Sequence, residues 1–582
     1  MKPMIKTLAK SIREFKKVSI LTPLFMIGEV VMEVIIPTLM ALLIDNGING
    51  NDGQGDVKYI VIVGLCLVVC CGLSLLAGFG GGKAGAIAST GFARNLRKDM
   101  FHKVQEYSFS NIDKFSTASL VTRLTSDVTR VQDAYQMILR IAVRAPIMLI
   151  FSLIMAFLIN HTISLVYLVV IPILGIGLFF IMKTAHPVFE RVFKRYDTLN
   201  NVVQENVTGM RVVKSFVRED FEIKKFKQVS GDIYKDFSFA EKVLAFNSPL
   251  MMFCMYGGML FISWVGAQLI VVEGTFTTGE LMTIITYSMQ ILMSLMMLSM
   301  IFVMLTMARA SAERICEVLN EESDIKNPAS PVTEVRDGSV KFSGVSFAYA
   351  KSGSYALSDI DLDIKSGETV GIIGGTGSSK SSLVQLIPRL YDVSKGQVLV
   401  GGVDVKDYDI ETLRNSVAMV LQKNVLFSGS IKENLRWGNP DASDEDLIHA
   451  CKLAQADSFI EGFPDKYDTH IEQGGTNVSG GQKQRLCIAR ALLKKPKILI
   501  LDDSTSAVDT ATDASIRRAF LEEIPDTTKF IIAQRISSVM DADKIIVMEG
   551  GKVNAVGTHK ELMESNEIYR EVFYSQQKGG EE

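Results

Sequence analysis

Hydrophobic residues form long runs before about residue 310, and short runs alternating with polar residues after about residue 340. Six of the long runs have roughly 20 or more apolar positions, which is the length that a helix needs to cross a bilayer. These predicted spans cover about residues 18–44, 59–80, 138–159, 163–184, 246–272 and 281–307. The pattern therefore predicts an α-helical, six-span transmembrane domain over residues 1–320.

The connections between the spans differ in length and charge. Lys and Arg are concentrated in two long connections, residues 85–137 and 185–245, whereas the other three are short and poor in basic residues. Because basic connections stay on the cytoplasmic side, we expect both termini in the cytoplasm of a bacterial-type plasma membrane. Apolar residues at helical spacing predict long intracellular helical extensions. Residues 109–115 and 208–216 are candidate short turns at their far ends.

Two carboxylates, Glu29 and Glu33, stand four residues apart on one face of the first predicted span. An ionised group at the bilayer centre costs roughly 2.5–3.5 kcal/mol on insertion scales, so it faces a cavity or a partner. Two interpretations stay open. The carboxylates line a path that attracts cationic substrates, or they form a structural ion pair with Arg140 or Arg144 of the third span.

The last two predicted spans are rich in methionine. In the final span Met293, Met297 and Met300 recur at helical spacing. Unbranched, polarizable side chains suit a surface that contacts varied apolar ligands, but ordinary helix packing explains the same stripe. These methionines are therefore candidates for a substrate path, with helix packing as the alternative.

Residues 338–582 alternate β-rich runs with helical patterns, which is typical of an α/β nucleotide-binding domain, and residues 321–337 form the predicted linker. A strand at residues 370–374 leads into a loop of small residues followed by a helix. Backbone N–H groups of such a loop face the β-phosphate, Lys380 reaches the β- and γ-phosphates, and the Ser381 hydroxyl can bind Mg²⁺. The predicted phosphate-binding residues are Gly374, Gly375, Thr376, Gly377, Ser378, Ser379, Lys380, Ser381 and Ser382.

One loop position departs from the strict phosphate-loop pattern, because Ser379 stands where glycine is expected. If this position needs a positive φ, serine costs on the order of 1 kcal/mol there, which binding tolerates.

Two further motifs lie downstream of the phosphate loop. The apolar strand at residues 497–502 ends in carboxylates, which makes Asp502 the candidate ligand for Mg²⁺ beside the phosphates. A glycine turn that opens an amphipathic helix offers a second anion site at the helix N-terminus. This turn consists of Ser479, Gly480, Gly481 and Gln482.

Six spans followed by one cassette, with these motifs in this order, resemble a half-transporter of the ATP-binding cassette (ABC) exporter family. The resemblance implies ATP and Mg²⁺ as ligands, an ABC ATPase fold for residues 338–582, and coupling helices at the turns 109–115 and 208–216. It implies that Tyr349 stacks on adenine and that Gln422 contacts Mg²⁺ and the attacking water. It also places Asp509 in a segment, beginning at Ser506, that crosses to the opposite nucleotide site.

The same resemblance implies that two cassettes face head to tail. Each ATP then lies between one chain's phosphate loop and the other chain's turn at residues 479–482. The implied partner is a homologous half-transporter.

Two positions depart from the family pattern. Asp503 replaces the glutamate that acts as general base, and Gln534 replaces the histidine that contacts the γ-phosphate. Aspartate is one methylene shorter, and glutamine cannot carry a positive charge. We therefore expect this chain's own site to bind ATP and hydrolyse it poorly, while its intact turn at residues 479–482 completes a competent site on the partner.

The predicted function is thus that of one subunit of a heterodimeric, ATP-driven exporter of drugs or other small amphipathic compounds. Its alternatives are a homodimeric lipid or peptide exporter and a membrane protein that ATP regulates without pumping. The formal net charge is −3, and acidic residues exceed basic ones after residue 330. This charge balance argues against nucleic acid as a partner.

Overall fold

The computed structural model describes residues 2–50, 55–349, 353–503 and 508–578. The chain divides into two compact units. Unit 1 consists of Met1–Gln105 and Ala118–Asn320, and unit 2 consists of Glu106–Thr117 and Glu321–Glu582. A short segment between the second and third long helices thus belongs to the same unit as the C-terminal part of the chain.

Unit 1 is built from long apolar helices. Among the described residues, 6 helical segments are long and apolar enough to cross a membrane. Their lengths of 43 to 55 residues exceed the roughly 20 that span a bilayer, so helical extensions continue beyond the apolar stretches. The segments are Pro3–Asn49, Val57–Gln105, Thr117–Ile159, His161–Thr208, Glu219–Glu273 and Thr278–Asn320.

The helices of the first 320 residues are interrupted by short 3₁₀ and π-helical turns. In chain order they are α1 (Lys2–Ala9), α2 (Lys16–Leu42), α3 (Val57–Gln105), α4 (Phe109–Lys114), α5 (Thr117–Thr122), α6 (Val128–Ile159), α7 (His161–Thr208), α8 (Met210–Ser215), α9 (Glu219–Ala245), α10 (Asn247–Gln268) and α11 (Thr278–Asn320). The short helices α4 and α8 fall within the two predicted turns.

Polar side chains inside unit 1 form hydrogen bonds to backbone groups and cap helix ends. Asn160 caps α7, because its side-chain oxygen accepts a hydrogen bond from the Ile163 N–H at 3.1 Å. Tyr287 of α11 is fully buried, and its hydroxyl donates to the Val34 carbonyl of α2 at 2.6 Å. Such bonds tie neighbouring helices together in surroundings where an unpaired polar group is costly.

Unit 2 contains the strands and the remaining helices. The strands are β1 (Val340–Phe347), β2 (Leu357–Ile364), β3 (Thr369–Gly374), β4 (Lys395–Val400), β5 (Val403–Asp404), β6 (Val417–Val420), β7 (Gly429–Ser430), β8 (His470–Ile471), β9 (Ile498–Asp502), β10 (Thr528–Ile532), β11 (Lys544–Glu549) and β12 (Lys552–Gly557). The helices are α12 (Lys380–Gln385), α13 (Ile410–Ser416), α14 (Ile431–Arg436), α15 (Asp444–Leu453), α16 (Asp457–Ile460), α17 (Gly480–Leu492), α18 (Thr510–Glu523), α19 (His559–Ser565) and α20 (Glu567–Lys578).

Within the described part of unit 2, the central sheet has six strands in the order β12-β11-β3-β10-β9-β6. All neighbours are parallel except the antiparallel edge pair β11–β12. Every residue of β9 and β10 is buried, as expected for strands covered on both faces. The carboxyl ends of β3, β9 and β10 therefore meet at one edge, where parallel sheets bind ligands. The predicted fold class, a six-span helical domain followed by an α/β domain, is confirmed.

The helix α4 is held inside unit 2 by its polar residues. Ser108 caps it, and its side chain and that of Asn111 bond each other's backbone in a capping box. Lys114 forms an ion pair with Glu321 at 2.6 Å, and the Asn111 amide donates to the same carboxylate at 3.0 Å. These contacts attach α4 to the start of the predicted linker.

Candidate functional site

The loop between β3 and α12 takes a backbone conformation that explains its small residues. Gly374, Gly377 and Ser379 have φ values of 154°, 82° and 68°. A Cβ atom built on Gly374 would lie 2.2 Å from the Met548 carbonyl oxygen, so only glycine fits there. Ser379 adopts the left-handed conformation, and the expected cost of about 1 kcal/mol therefore applies to it.

Lys380 folds back over the rim of this loop. Its Nζ donates to the Gly374 and Gly375 carbonyl oxygens at 2.8 and 2.9 Å. Burial lowers the pKa of Lys380, and the nearby carboxylates of Asp502 and Asp503 oppose that shift. A cation with exchangeable hydrogen-bond partners at the mouth of an N–H-rich loop is suited to binding phosphate oxygens.

Asp502, the last residue of β9, is 3% exposed and accepts a hydrogen bond from the Ser381 hydroxyl at 2.9 Å. Burial raises the pKa of Asp502, because the charged form is poorly solvated there. One carboxylate beside one hydroxyl fits Mg²⁺, which takes few protein ligands and completes its shell with phosphates and water. Among the described residues, no cluster of three or more His, Cys, Asp or Glu could hold a metal by itself.

Asp503 and Gln534, the two departures from the family pattern, are in direct contact. The Gln534 Nε2 donates to Asp503 Oδ2 at 2.7 Å, and the Gln422 Nε2 approaches the same oxygen at 3.5 Å. Asp503 has φ of 50°, and its N–H donates to the Ile532 carbonyl at 3.0 Å. The structure therefore brings together three residues that are far apart in the sequence.

These groups surround one cleft of about 460 Å³. Its lining includes residues 374–381 together with Gln422, Asp502, Asp503 and Gln534. Three residues of α20 complete one side of the cleft, and the sequence analysis did not identify them: Ile568, Tyr569 and Val572.

Tyr349 belongs to an aromatic cluster that reaches α4. Its hydroxyl is 2.8 Å from the Ser382 hydroxyl, and its ring lies edge-to-face with that of Tyr391 at 5.3 Å. Tyr391 in turn donates to Asp113 Oδ2 at 2.7 Å and contacts the Phe109 ring at 5.9 Å. Burial and the Asp113 carboxylate raise the pKa of Tyr391. Sequence reasoning missed Tyr391, because no local motif marks it.

The turn at residues 479–482 lies at the N-terminus of α17. The Ser479 side chain accepts from the Gln482 N–H at 3.3 Å, and the Gln482 side chain accepts from the Ser479 N–H at 2.9 Å. Gly480 and Gly481 form the first turn of the helix. None of these four is among the described residues that line the 460 Å³ cleft.

The predicted crossing segment is described only in part. Ser506 lies outside the described residues. Asp509 caps α18, because its side chain accepts from the Thr512 N–H at 2.9 Å. The position of Asp509 relative to an opposite nucleotide site stays a prediction.

In unit 1, Arg144 pairs with both intramembrane carboxylates. Its Nη2 donates to the two carboxylate oxygens of Glu33 at 2.7 and 2.8 Å, and its Nη1 lies 3.2 Å from Glu29. The structural ion pair between the first and third spans is therefore formed, and its cation is Arg144.

A cavity of about 390 Å³ adjoins this ion pair. Glu33, Met293 and Met297 line it, whereas Glu29 and Met300 are not among its described lining residues. The same carboxylate thus pairs with an arginine and faces a cavity, and the two interpretations of Glu33 are compatible.

Comparison with known families identifies the chain. Residues 19–295 match the family described as "ABC transporter transmembrane region", and residues 357–506 match the family "ABC transporter". The uncharacterised ABC transporter ATP-binding protein YfiB of Bacillus subtilis is 36% identical, over 95% of each chain. The chain belongs to the ABC transporter family. This ABC transporter has a membrane domain and a nucleotide-binding domain on one chain.

Two further relatives carry functional names. The putative multidrug export ATP-binding/permease protein YgaD of Bacillus subtilis is 32% identical, over 82% of this ABC transporter chain and 83% of its own. The ATP-dependent lipid A-core flippase of Desulfotalea psychrophila is 31% identical, over 83% and 84%. A solved bacterial Atm1-family ABC exporter with ATP bound has the same fold, with a TM-score of 0.80, 22% identity and coverage of 97% and 98%.

Proposed function

We propose that this ABC exporter chain is one subunit of a heterodimer whose own phosphate-loop site binds ATP and hydrolyses it poorly. The supporting observation is the contact of 2.7 Å between Gln534 and Asp503. The carboxylate that would act as base is one methylene short, and a displacement of about 1 Å costs a catalytic group on the order of 10²-fold. Its neighbour is a neutral amide, which supplies no positive charge and relays no proton.

The remaining residues of the cleft support ATP binding. The loop N–H groups and Lys380 hold the phosphates, and Tyr349 stacks on the adenine ring. Ser381 and Asp502 hold Mg²⁺, with Gln422 contributing from the side of the cleft. Bound there, Mg²⁺ would neutralise negative charge on the phosphates.

The turn at residues 479–482 serves a second site in this proposal. The 13-residue helix α17 has its N-terminus there, where backbone N–H groups and the helix dipole favour an anion. The turn is intact in sequence and absent from the described lining of the chain's own cleft. A homologous half-transporter with its own phosphate loop is the partner that would use it.

We place the chain in a bacterial-type plasma membrane with both termini in the cytoplasm, and α4 and α8 at the coupling positions. The proposed substrates are drugs or other small amphipathic compounds. The likeness to the multidrug export protein and the charged, methionine-lined cavity support this class. A homodimeric lipid exporter is the second candidate, because the lipid A-core flippase matches over a similar length.

Purification of the tagged chain from membranes of its source distinguishes the heterodimer from the homodimer. A heterodimer is expected to yield a second ABC chain in equal amount, and ATPase activity only when both chains are present. If the chain purified alone hydrolyses ATP at the rate of the assembled transporter, the heterodimer is wrong. Vesicle transport of cationic dyes and of lipid analogues then separates the two substrate classes.

A further inference from the structure

The C-terminal helix α20 contacts the loop that carries Gln534. The side chain of Gln576 forms two hydrogen bonds to the backbone of this loop. Its Oε1 accepts from the Ile536 N–H at 2.9 Å, and its Nε2 donates to the Gln534 carbonyl oxygen at 2.7 Å. One amide therefore fixes the backbone on both sides of Arg535.

The helix that presents Gln576 belongs to unit 2 and is held there near its start by Tyr569. Tyr569 is fully buried, and its hydroxyl is hydrogen-bonded to His559 Nδ1 at 2.6 Å. The Tyr569 N–H donates to Asn566 Oδ1 at 2.8 Å. Ile568 and Val572 of the same helix line the nucleotide cleft. A helix anchored near its start can therefore position a residue in its last turns.

The loop that Gln576 contacts leaves the sheet at the end of β10. Ile532 is the last residue of β10 that pairs with β3 and β9. The Ala533 N–H still donates to the Ile372 carbonyl oxygen, at 3.3 Å. The next residue, Gln534, extends its side chain to Asp503. Gln576 therefore bonds the backbone of the same residue whose side chain reaches Asp503.

We propose that Gln576 is a positioning residue that holds Gln534 at the cleft, so that the site distinguishes ATP from ADP through the γ-phosphate. This inference rests on the proposed function, in which the phosphate loop of this chain binds ATP. In this proposal the neutral Gln534 amide would contact the γ-phosphate by hydrogen bonding alone, and a hydrogen bond depends steeply on geometry. Fixing the backbone on both sides of Arg535 supplies that geometry.

Nucleotide binding to the purified full-length chain tests the proposal. A fluorescent trinitrophenyl-ATP is displaced by ATP or by ADP, and the ratio of the two affinities is the readout. Gln576→Ala is expected to weaken ATP binding about fivefold, as for the net loss of one hydrogen bond, and ADP binding by less than twofold. Gln577→Ala is the matched control, since Gln577 is an exposed neighbour on the same helix.

A second variant separates positioning from a merely structural role. If Gln576 acts through Gln534, adding Gln576→Ala to Gln534→Ala causes no further loss of ATP preference. Gln576→Glu keeps the acceptor for Ile536 but sets a carboxylate oxygen against the Gln534 carbonyl oxygen, so the loss of ATP preference should be at least that of Gln576→Ala.

Three results would overturn the inference. The first is an unchanged ATP preference in Gln576→Ala, and the second is an equal loss of ATP and ADP affinity. The third is additive losses in the double variant. A wild-type chain from which neither nucleotide displaces the probe would overturn the proposed ATP site itself, and the inference with it.

Discussion

Arg144 is the cation on which two carboxylates of the first membrane helix converge. Its guanidinium lies 2.7 Å from Glu33 and 3.2 Å from Glu29. The side chains of Arg144, Glu29 and Glu33 are only 32%, 13% and 26% exposed. Arg144→Gln removes the cation and leaves two carboxylates one helical turn apart, which repel each other. We expect this substitution to destabilise unit 1 strongly.

The magnitude follows from the partial burial. Breaking a buried ion pair by removing one partner costs about 3–5 kcal/mol, and an exposed pair is worth about 0–1 kcal/mol. At these exposures we expect Arg144→Gln to cost about 2–3 kcal/mol. Glu29→Gln keeps the shorter contact to Glu33 and should cost about 1 kcal/mol or less. The triple variant with Gln at all three positions removes Arg144 together with both of its carboxylate partners, so it should be more stable than Arg144→Gln.

Thermal unfolding of the four proteins in the same detergent measures these differences. Arg144→Gln should melt several degrees below both the wild type and the triple variant. If the single and triple variants melt together, the ion pair is not what holds these helices. Vesicle transport then tests the path. The Glu29→Gln and Glu33→Gln double variant shows that the carboxylates line the substrate path if transport of cationic substrates falls more than transport of neutral ones. Equal losses for both classes would show that the carboxylates have a structural role.

Other variants test the cassette. Ser479→Ala should lower the ATPase rate of the assembled transporter by roughly 10²-fold, because it removes a donor at the competent site, whereas Asp503→Asn should change it less than tenfold; equal effects would refute the degenerate site. Tyr391→Phe keeps the ring and loses the bond to Asp113, so substrate stimulation of the ATPase should fall about fivefold and more than the basal rate. Ser379→Gly should stabilise the protein by about 0.5 kcal/mol, measured by thermal unfolding, because glycine tolerates the positive φ; a lower melting temperature would contradict this.

Much of the fold could be predicted because its signals are local. A membrane span is recognised by the length of one apolar run, and a phosphate loop by small residues between one strand and one helix. The positive φ of Ser379 follows from the same local pattern. The choice between Arg140 and Arg144 could not be predicted. The two stand four residues apart on one helix face, so periodicity treats them alike, and only packing selects Arg144.

Tyr391 and Gln576 could not be identified from the sequence, because their roles come from contacts between distant parts of the chain. Tyr391 bonds Asp113 across a separation of 278 residues, and Gln576 bonds Gln534 across 42. Neither belongs to a motif with fixed spacing, and a single tyrosine or glutamine in an α/β domain has no distinctive pattern of its own. Sequence reasoning finds residues that act within one turn or loop, whereas residues that connect elements are found only once the elements are placed.

In the proposed degenerate site, the contacts around Asp503 explain both the fixed position of Gln534 and the weak hydrolysis. The Gln534 side-chain amide donates to Asp503, and the Gln534 backbone carbonyl oxygen accepts from Gln576 of α20. An N–H donated to a carboxylate oxygen occupies a lone pair that would otherwise accept a proton from water. The contact that fixes the Gln534 side chain therefore also weakens the Asp503 carboxylate as a base. A site that had merely decayed would have no need to hold Gln534 in place, so these bonds favour a site retained for binding ATP.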